Sequence, residues 1–286
     1  MASIAIVTDS AAAVPEPLAR RWSVTSVPLD IIVDGVPHPD SSTLGAEDVM
    51  RAFDEGRSVT TSQPSVGTFV EQYRQLAEAG ATEILSFHVT SQISGTVNAA
   101  RVAAEQSPVP TRVVDTRTMG MATGFAAVTA AFVVKEGGGA AEAIAEANRV
   151  AETSAVFVTV ATLEYLRRGG RVPATMASLG NALHIRPILT IKDGALVVLQ
   201  RIRTTPRARQ TMVDLTEERI GAMSHPALSI MGLRMGSYPD DIARNIEGKH
   251  PDLAMLVRTP VSAVLAVHGG PGAFSTVIVD LPKGLR

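Results

Sequence analysis

Hydroxyl side chains gather at two places in this 286-residue chain, Thr60-Thr61-Ser62-Gln63-Pro64-Ser65 and Thr90-Ser91-Gln92-Ile93-Ser94-Gly95-Thr96. The second cluster follows an apolar run, residues 84–89, and precedes Val97, Ala100, Arg101 and Ala104 at helical spacing. That pattern is a strand, a tight turn and a helix start, with Ser94 as the expected N-cap. Backbone N–H groups at such a start lack intrahelical partners, and the helix dipole favours negative charge there. The turn is therefore suited to an anion, with neutral hydroxyls donating beside the amides. Thr61 and Ser94 both fall at the carboxyl ends of candidate parallel strands, where open α/β sheets hold their ligands. Taken alone, each reads equally well as a turn or cap residue.

Basic residues supply a second set of candidates. Arg167 and Arg168 before Gly169-Gly170 are what a helix C-terminus requires. Arg171 lies beyond the glycines and is free to serve as a guanidinium ligand for carboxylate or phosphate. Arg201 and Arg203 alternate on one strand face, for which solvation is the default reading. His268 ends an apolar run read as a strand and precedes Gly269-Gly270-Pro271-Gly272. A lone histidine there is structural by default, although the glycines let backbone approach a ligand closely.

Other chemistries lack their residues. With no cysteine, disulfides, thiolate catalysis and cysteine-held metals are excluded. Neither G-x-x-x-x-G-K-[ST] nor G-x-G-x-x-G occurs, no G-x-S-x-G elbow is present, and the six histidines show no H-E-x-x-H spacing, so no cofactor or metal is expected. A net charge of −2 with 45% apolar residues offers no basic field for nucleic acid and no basic stripe for a membrane surface. The apolar segments are too short to span a bilayer, and the first ten residues carry no basic leader, so a cytoplasmic location is expected.

The elements that must position these residues alternate. Apolar runs at 3–7, 83–89 and 111–115 are separated by helical spacing, which implies βαβ units and a mainly parallel sheet. Asp34-Gly35 between apolar runs marks a hairpin, a small β excursion at about residues 23–45. An alanine-rich helix over 120–135 and another over 140–152 close the first part. The expected fold is α/β in two domains: residues 1–153 a mainly parallel α/β sheet, and residues 154–286 an α+β domain with a mixed sheet. In the second, Asp193-Gly194 marks another hairpin.

Six motifs in order, Thr8-Asp9-Ser10, Thr61-Ser62-Gln63-Pro64-Ser65, Ser94-Gly95-Thr96, Tyr165-Leu166-Arg167-Arg168-Gly169-Gly170-Arg171, Arg186-Pro187-Ile188-Leu189 and His268-Gly269-Gly270-Pro271-Gly272-Ala273, resemble the DegV family of bacterial fatty-acid-binding proteins, which includes the binding subunit of fatty acid kinase. The likeness runs nearly end to end. It departs at Thr116, where the family usually has serine, at Val97, where an aromatic is frequent, and at Arg186, where lysine is common. The resemblance implies a long-chain fatty acid buried in a tunnel, its carboxylate held by Thr61, Ser62 and Ser94 with the Gly95 N–H. It also implies that Arg171, Arg203 and His268 lie where a kinase catalytic subunit adds phosphate. An acyltransferase would then take the acyl phosphate toward phospholipid synthesis, and the chain itself would be a carrier rather than an enzyme. Two readings from other classes stay open: a hydrolase or phosphotransferase using Ser94 or His268, and a binding module for another small anion.

Overall fold

The computed structural model describes residues 3–40, 44–172, 185–259 and 261–286. Its first strand, β1 (Ile4–Asp9), is buried because apolar side chains leave it on both faces: Ile6 goes to one hydrophobic cluster and Val7 to another. That two-sided burial is what a strand inside a parallel sheet demands. β2 (Val24–Val27), β6 (Glu83–His88) and β7 (Thr111–Asp115) join it in the order β2-β1-β6-β7, all parallel. α1 (Glu16–Trp22) connects the first two strands. α3 (Val66–Glu78) and α4 (Thr96–Ala104) cover one face, where Phe69, Tyr73, Ala99 and Ala103 meet Val7 and Ile84.

The other face packs on α5 (Met121–Lys135). Twelve of its fifteen residues are buried, so this helix has no solvent side. A helix apolar all round must lie between layers, and α5 does. Phe125 and its neighbours touch Leu85 and Phe87 of the parallel sheet, and the same cluster reaches Val156, Val277 and Val279 of a second sheet. Its alanines admit α6 (Ala140–Thr153) alongside, against Ala143, Ala147 and Val150. Gly124 permits a closer contact still: a Cβ there would stand 2.8 Å from the Ala12 carbonyl oxygen.

The second sheet is mixed, in the order β10-β9-β8-β13-β11-β12. Its strands are β8 (Ala155–Thr159), β9 (Arg186–Lys192), β10 (Ala195–Ile202), β11 (Pro226–Gly232), β12 (Met255–Arg258) and β13 (Phe274–Asp280). Only β11 and β12 pair in parallel. α8 (Thr205–Gly221) and α9 (Tyr238–Lys249) cover its outer face through Met212, Ile220, Ala243 and Ile246. The β9–β10 turn is Asp193-Gly194, both at positive φ, as the sequence predicts.

A third, three-stranded antiparallel sheet has the order β4-β3-β5. Asp34-Gly35 turns β3 (Asp30–Val33) into β4 (Val36–Pro39), with φ of 49° and 84°. Two features differ from the sequence reading. Val24–Val27 belongs to the parallel sheet and not to the excursion, and β5 (Val59–Ser62) adds to the excursion from outside it. This small sheet packs against α2 (Ala46–Asp54) and α10 (Ala263–Gly269), with Ile31, Val33, Val49, Val264 and Val267 in one cluster.

One polar chain crosses the parallel sheet. Asp9 Oδ2 lies 2.9 Å from His88 Nδ1, His88 Nε2 lies 2.7 Å from Ser86 Oγ, and Ser86 Oγ lies 2.9 Å from Tyr73 OH. Asp9 also accepts from the N–H groups of Ala11 and Val89, each at 3.0 Å. The order Asp-His-Ser imitates a hydrolytic triad. All of it is sealed from solvent at 0% exposure, so no substrate reaches Ser86 and the chain of bonds is structural. Burial pushes the Tyr73 hydroxyl up to about 12, with the Ser86 bond opposing the shift.

Candidate functional site

Helix α10 brings His268 to the small sheet. Ser262 caps this helix, its Oγ accepting from Leu265 N at 3.3 Å, and the apolar stripe Ala263, Val264, Ala266 and Val267 is buried below. His268 thus ends a helix; the strand expected there is not formed. In the last turn its Nε2 lies 2.9 Å from Thr61 Oγ1 on β5. Thr61 and Ser62 therefore sit on an antiparallel strand of the small sheet, not in a turn at the end of a parallel strand. The pairing Ile31↔Thr61 and Asp30↔Ser62 fixes their register.

Tyr165 and His268 interlock through two glycines. α7 (Glu164–Arg168) ends at Gly169, where a Cβ would stand 2.2 Å from His268 Nδ1. Reciprocally, a Cβ at Gly270 would stand 2.1 Å from the Tyr165 ring. Only hydrogen at both positions lets the two loops mesh, which is the physical content of these glycines. The Nδ1 atom of His268 is buried and has no hydrogen-bond partner among the described residues. Burial, aided by the nearby Arg171 charge, lowers the His268 pKa to about 4, so the ring is neutral at pH 7.

Arg171 leaves the same glycine turn toward the Ser94 loop. Its Nε donates to the Ile93 carbonyl at 3.0 Å and its Nη1 to the Gly169 carbonyl. Ser94 stands one residue ahead of the helix N-cap position, which Gly95 occupies; its hydroxyl lies 2.8 Å from Thr96 Oγ1 and accepts weakly from Thr96 N at 3.4 Å. The cap moves because the turn through Thr90–Ile93, closed by Ile93 N donating to the Thr90 carbonyl, uses one residue more than the sequence suggests. Gln63, the residue after β5, reaches over, and a Cβ on Gly95 would stand 2.0 Å from its Oε1. The tip of the β9–β10 hairpin fastens to this loop as well, Thr90 Oγ1 donating to the Gly194 carbonyl at 2.9 Å, and to the neighbouring β7–α5 loop, where Arg117 Nη2 donates to the Asp193 carbonyl at 3.0 Å.

These groups surround one end of a cavity enclosing about 1130 Å³ of atom-free space, its open mouth included. Thr61, Ser62, Gln63, Ser94, Arg171 and His268 line it there. Elsewhere its wall is almost wholly apolar: Val156, Val158 and Val160 of β8 and its extension, Leu189 and Leu196 of the hairpin, Val277 of β13, and Met119 and Met231. The cavity lies between the six-stranded sheet and the start of α5. Gly95 borders an outer cleft with Ser94 and Arg171, not the cavity itself. Arg203 follows β10, is exposed, and is not part of the cavity lining. Sequence reasoning missed Gln63, Gly169 and the valine row of β8, although the alternation of Val156, Val158 and Val160 is a legible signal for one strand face. Among the described residues no group of three or more His, Asp or Glu is placed to hold a metal ion, and no described helix is long and apolar enough to cross a membrane.

A family model described as "Uncharacterised protein, DegV family" matches residues 3–281. The chain belongs to the DegV family. A DegV domain-containing protein of Streptomyces coelicolor is 36% identical over 275 residues, covering 96% of this chain and 98% of the relative. One of Mycobacterium tuberculosis is 32% identical over 286 residues, covering 98% of each. Among solved structures, a DegV family protein from Thermus thermophilus, reported for its fatty acid binding, superposes with a TM-score of 0.90 at 29% identity, covering 98% of this chain and 100% of that one. DegV from Bacillus subtilis, described as a fatty acid binding protein, gives a TM-score of 0.91 at 25% identity, with 98% and 100% covered. The mixed α/β architecture, one parallel sheet plus mixed and antiparallel sheets, is thus the DegV fold.

Proposed function

We propose that this DegV protein binds a long-chain fatty acid and presents its carboxylate to a kinase catalytic subunit. The observation that carries the reading is the cavity: an apolar chamber with an open mouth, at one end of which the neutral hydroxyls of Thr61 and Ser94 gather with Arg171, His268 and Ser62, whose own hydroxyl donates to the Gln63 carbonyl at 2.9 Å. The fatty-acid binding reported for the Thermus and Bacillus relatives supports it. Apolar walls recover about 0.8 kcal/mol per buried methylene, so a long chain supplies tight binding without a charged clamp on the head.

The neutral histidine fits this arrangement. With the proton on Nε2, His268 donates to Thr61 Oγ1 and frees the threonine hydroxyl to donate toward the carboxylate. Arg171 is already engaged by the Ile93 and Gly169 carbonyls, which keeps its guanidinium from closing on the head in bidentate fashion. The carboxylate oxygen so stays nucleophilic, and phosphoryl transfer from a kinase would give an acyl phosphate. The added charge would meet Arg171, with Arg203 exposed on the surface for the partner and His268 beneath. An acyltransferase would then remove the acyl group toward phospholipid synthesis. The chain needs no cofactor for this and performs no chemistry itself. The hydrolase reading is weaker here, since Ser94 Oγ bonds Thr96 while His268 bonds Thr61.

Lipid extracted from the purified protein and weighed by mass spectrometry tests the reading. Stoichiometric long-chain acid is expected in the wild type, with occupancy reduced severalfold in Ser94→Ala and in Thr61→Val. Unchanged occupancy in both variants would refute the head-group assignment, and a polar metabolite in place of lipid would refute the function.

A further inference from the structure

The apolar wall of the cavity is interrupted once by a polar group that belongs to no part of the head-group end. Residues of β13 alternate: Ser275 and Val277 face the cavity, while Thr276 faces the outer helices. Thr276 has its hydroxyl satisfied, 2.8 Å from Thr216 Oγ1 on α8. Ser275 is half-buried and lines the cavity, and its hydroxyl bonds to no described residue. Its cross-strand neighbours are Val158 on β8 and Met231 on β11, so the hydroxyl sits in an otherwise greasy row. The next row, behind the cavity lining, holds a second unpaired hydroxyl. Ser229 on β11 pairs with Val277, is fully buried, and its Oγ has no partner. Ser229 is diagonal to Ser275 across the β11–β13 ladder, a Cα separation of about 7–8 Å, within which two side chains turned together can share one oxygen atom.

Serine is a poor filler here. A methyl-bearing side chain would cover more of the wall, and an unbonded hydroxyl in an apolar place is costly. A bound methylene chain makes matters worse, since it removes water and offers no lone pair. Resting on the fatty-acid reading, we propose that Ser275, backed by Ser229, is a polar subsite in the chain-binding part of the cavity. It would recognise an acyl chain that carries an oxygen substituent, a hydroxyl or oxo group, at one position along its length. An apolar tunnel rejects such chains, because the substituent is buried unpaired. A tunnel with one aligned hydroxyl accepts the isomer whose oxygen reaches it and rejects the others.

Displacement of a fluorescent acyl probe from delipidated protein tests this, with stearate and hydroxystearates in which the hydroxyl is walked along the chain. The expected result is one isomer, or two adjacent ones, binding about tenfold more tightly than the rest, the ratio that one net hydrogen bond of about 1.4 kcal/mol gives. Ser275→Ala should abolish that preference and leave stearate within twofold, Ser275→Thr should retain it, and Ser229→Ala should weaken it in part. Tight stearate binding with a flat isomer profile overturns the subsite alone, as does a preference that survives Ser275→Ala. Failure of stearate and every isomer to bind overturns the lipid reading and the subsite with it.

Discussion

Substituting Gly169 by alanine isolates the histidine contact without straining the backbone, because φ −76° and ψ −6° are values alanine adopts freely. The new Cβ would stand 2.2 Å from His268 Nδ1 and 2.6 Å from Cε1, against the 3.4 Å or more of ordinary contact. The ring has to retreat by about 1 Å. The 2.9 Å bond to Thr61 does not survive such a shift, and a bond of this kind is worth about 0.5–1.5 kcal/mol net. Fatty-acid affinity should therefore fall by about 2- to 12-fold as Thr61 loses the group that orients it. A ring pushed toward the mouth also regains water, so its titration should rise from about 4 toward 6.5. Histidine titration by NMR reads the second effect, probe displacement reads the first, and a thermal melt separates both from unfolding. A double-mutant cycle with His268→Ala decides the cause. If Gly169→Ala and His268→Ala add independently, or if the titration is unmoved, the interlock does not orient Thr61.

The pH dependence of stability follows from the same ring. Its folded pKa, about 4, lies below the ordinary 6.5, so above pH 6.5 both states are neutral and the full contribution is present. Between 6.5 and 4 the unfolded chain takes up a proton that the folded chain refuses, and stability falls by at most about 3 kcal/mol across that window. Urea midpoints should drop more steeply in the wild type than in His268→Asn between pH 7 and pH 4, and parallel slopes would contradict the burial argument. In the sealed Asp9–His88–Ser86–Tyr73 chain, Tyr73→Phe leaves Ser86 bonded to His88, so it should cost only about 1 kcal/mol by denaturation while acid binding stays within twofold.

The parallel sheet is legible because β1, β6 and β7 are apolar on both faces, and the hairpins because Asp-Gly pairs supply two positive-φ residues. β5 is not legible. Val59-Thr60-Thr61-Ser62 carries turn chemistry, and its extended form is imposed by β3, a partner nearly thirty residues earlier. α10 reads as a strand because a seven-residue apolar run has no period of its own; the neglected signal is Ser262, which caps it. Thr61, Ser94, Arg171 and His268 meet at one cavity mouth, while Arg203 lies apart from the lining. The chamber itself has no sequence signature, being the gap between one sheet and the head of a helix. Ser275 is invisible beforehand for a related reason, since nothing in the sequence says which hydroxyl in Ser275-Thr276 finds a partner.

The hairpin bearing Leu189 and Leu196 is moored at its tip to the very loop that carries Ser94, through the Gly194 carbonyl on Thr90, and to the neighbouring β7–α5 loop through the Asp193 carbonyl on Arg117. A Cβ on Gly194 would stand 2.8 Å from Thr90 Oγ1, so the mooring is also a close steric fit. On the proposed fatty-acid reading, swinging that flank outward to admit a tail would pull the Ser94 loop with it. Uptake of a chain and placement of its head would then be one mechanical act, not two.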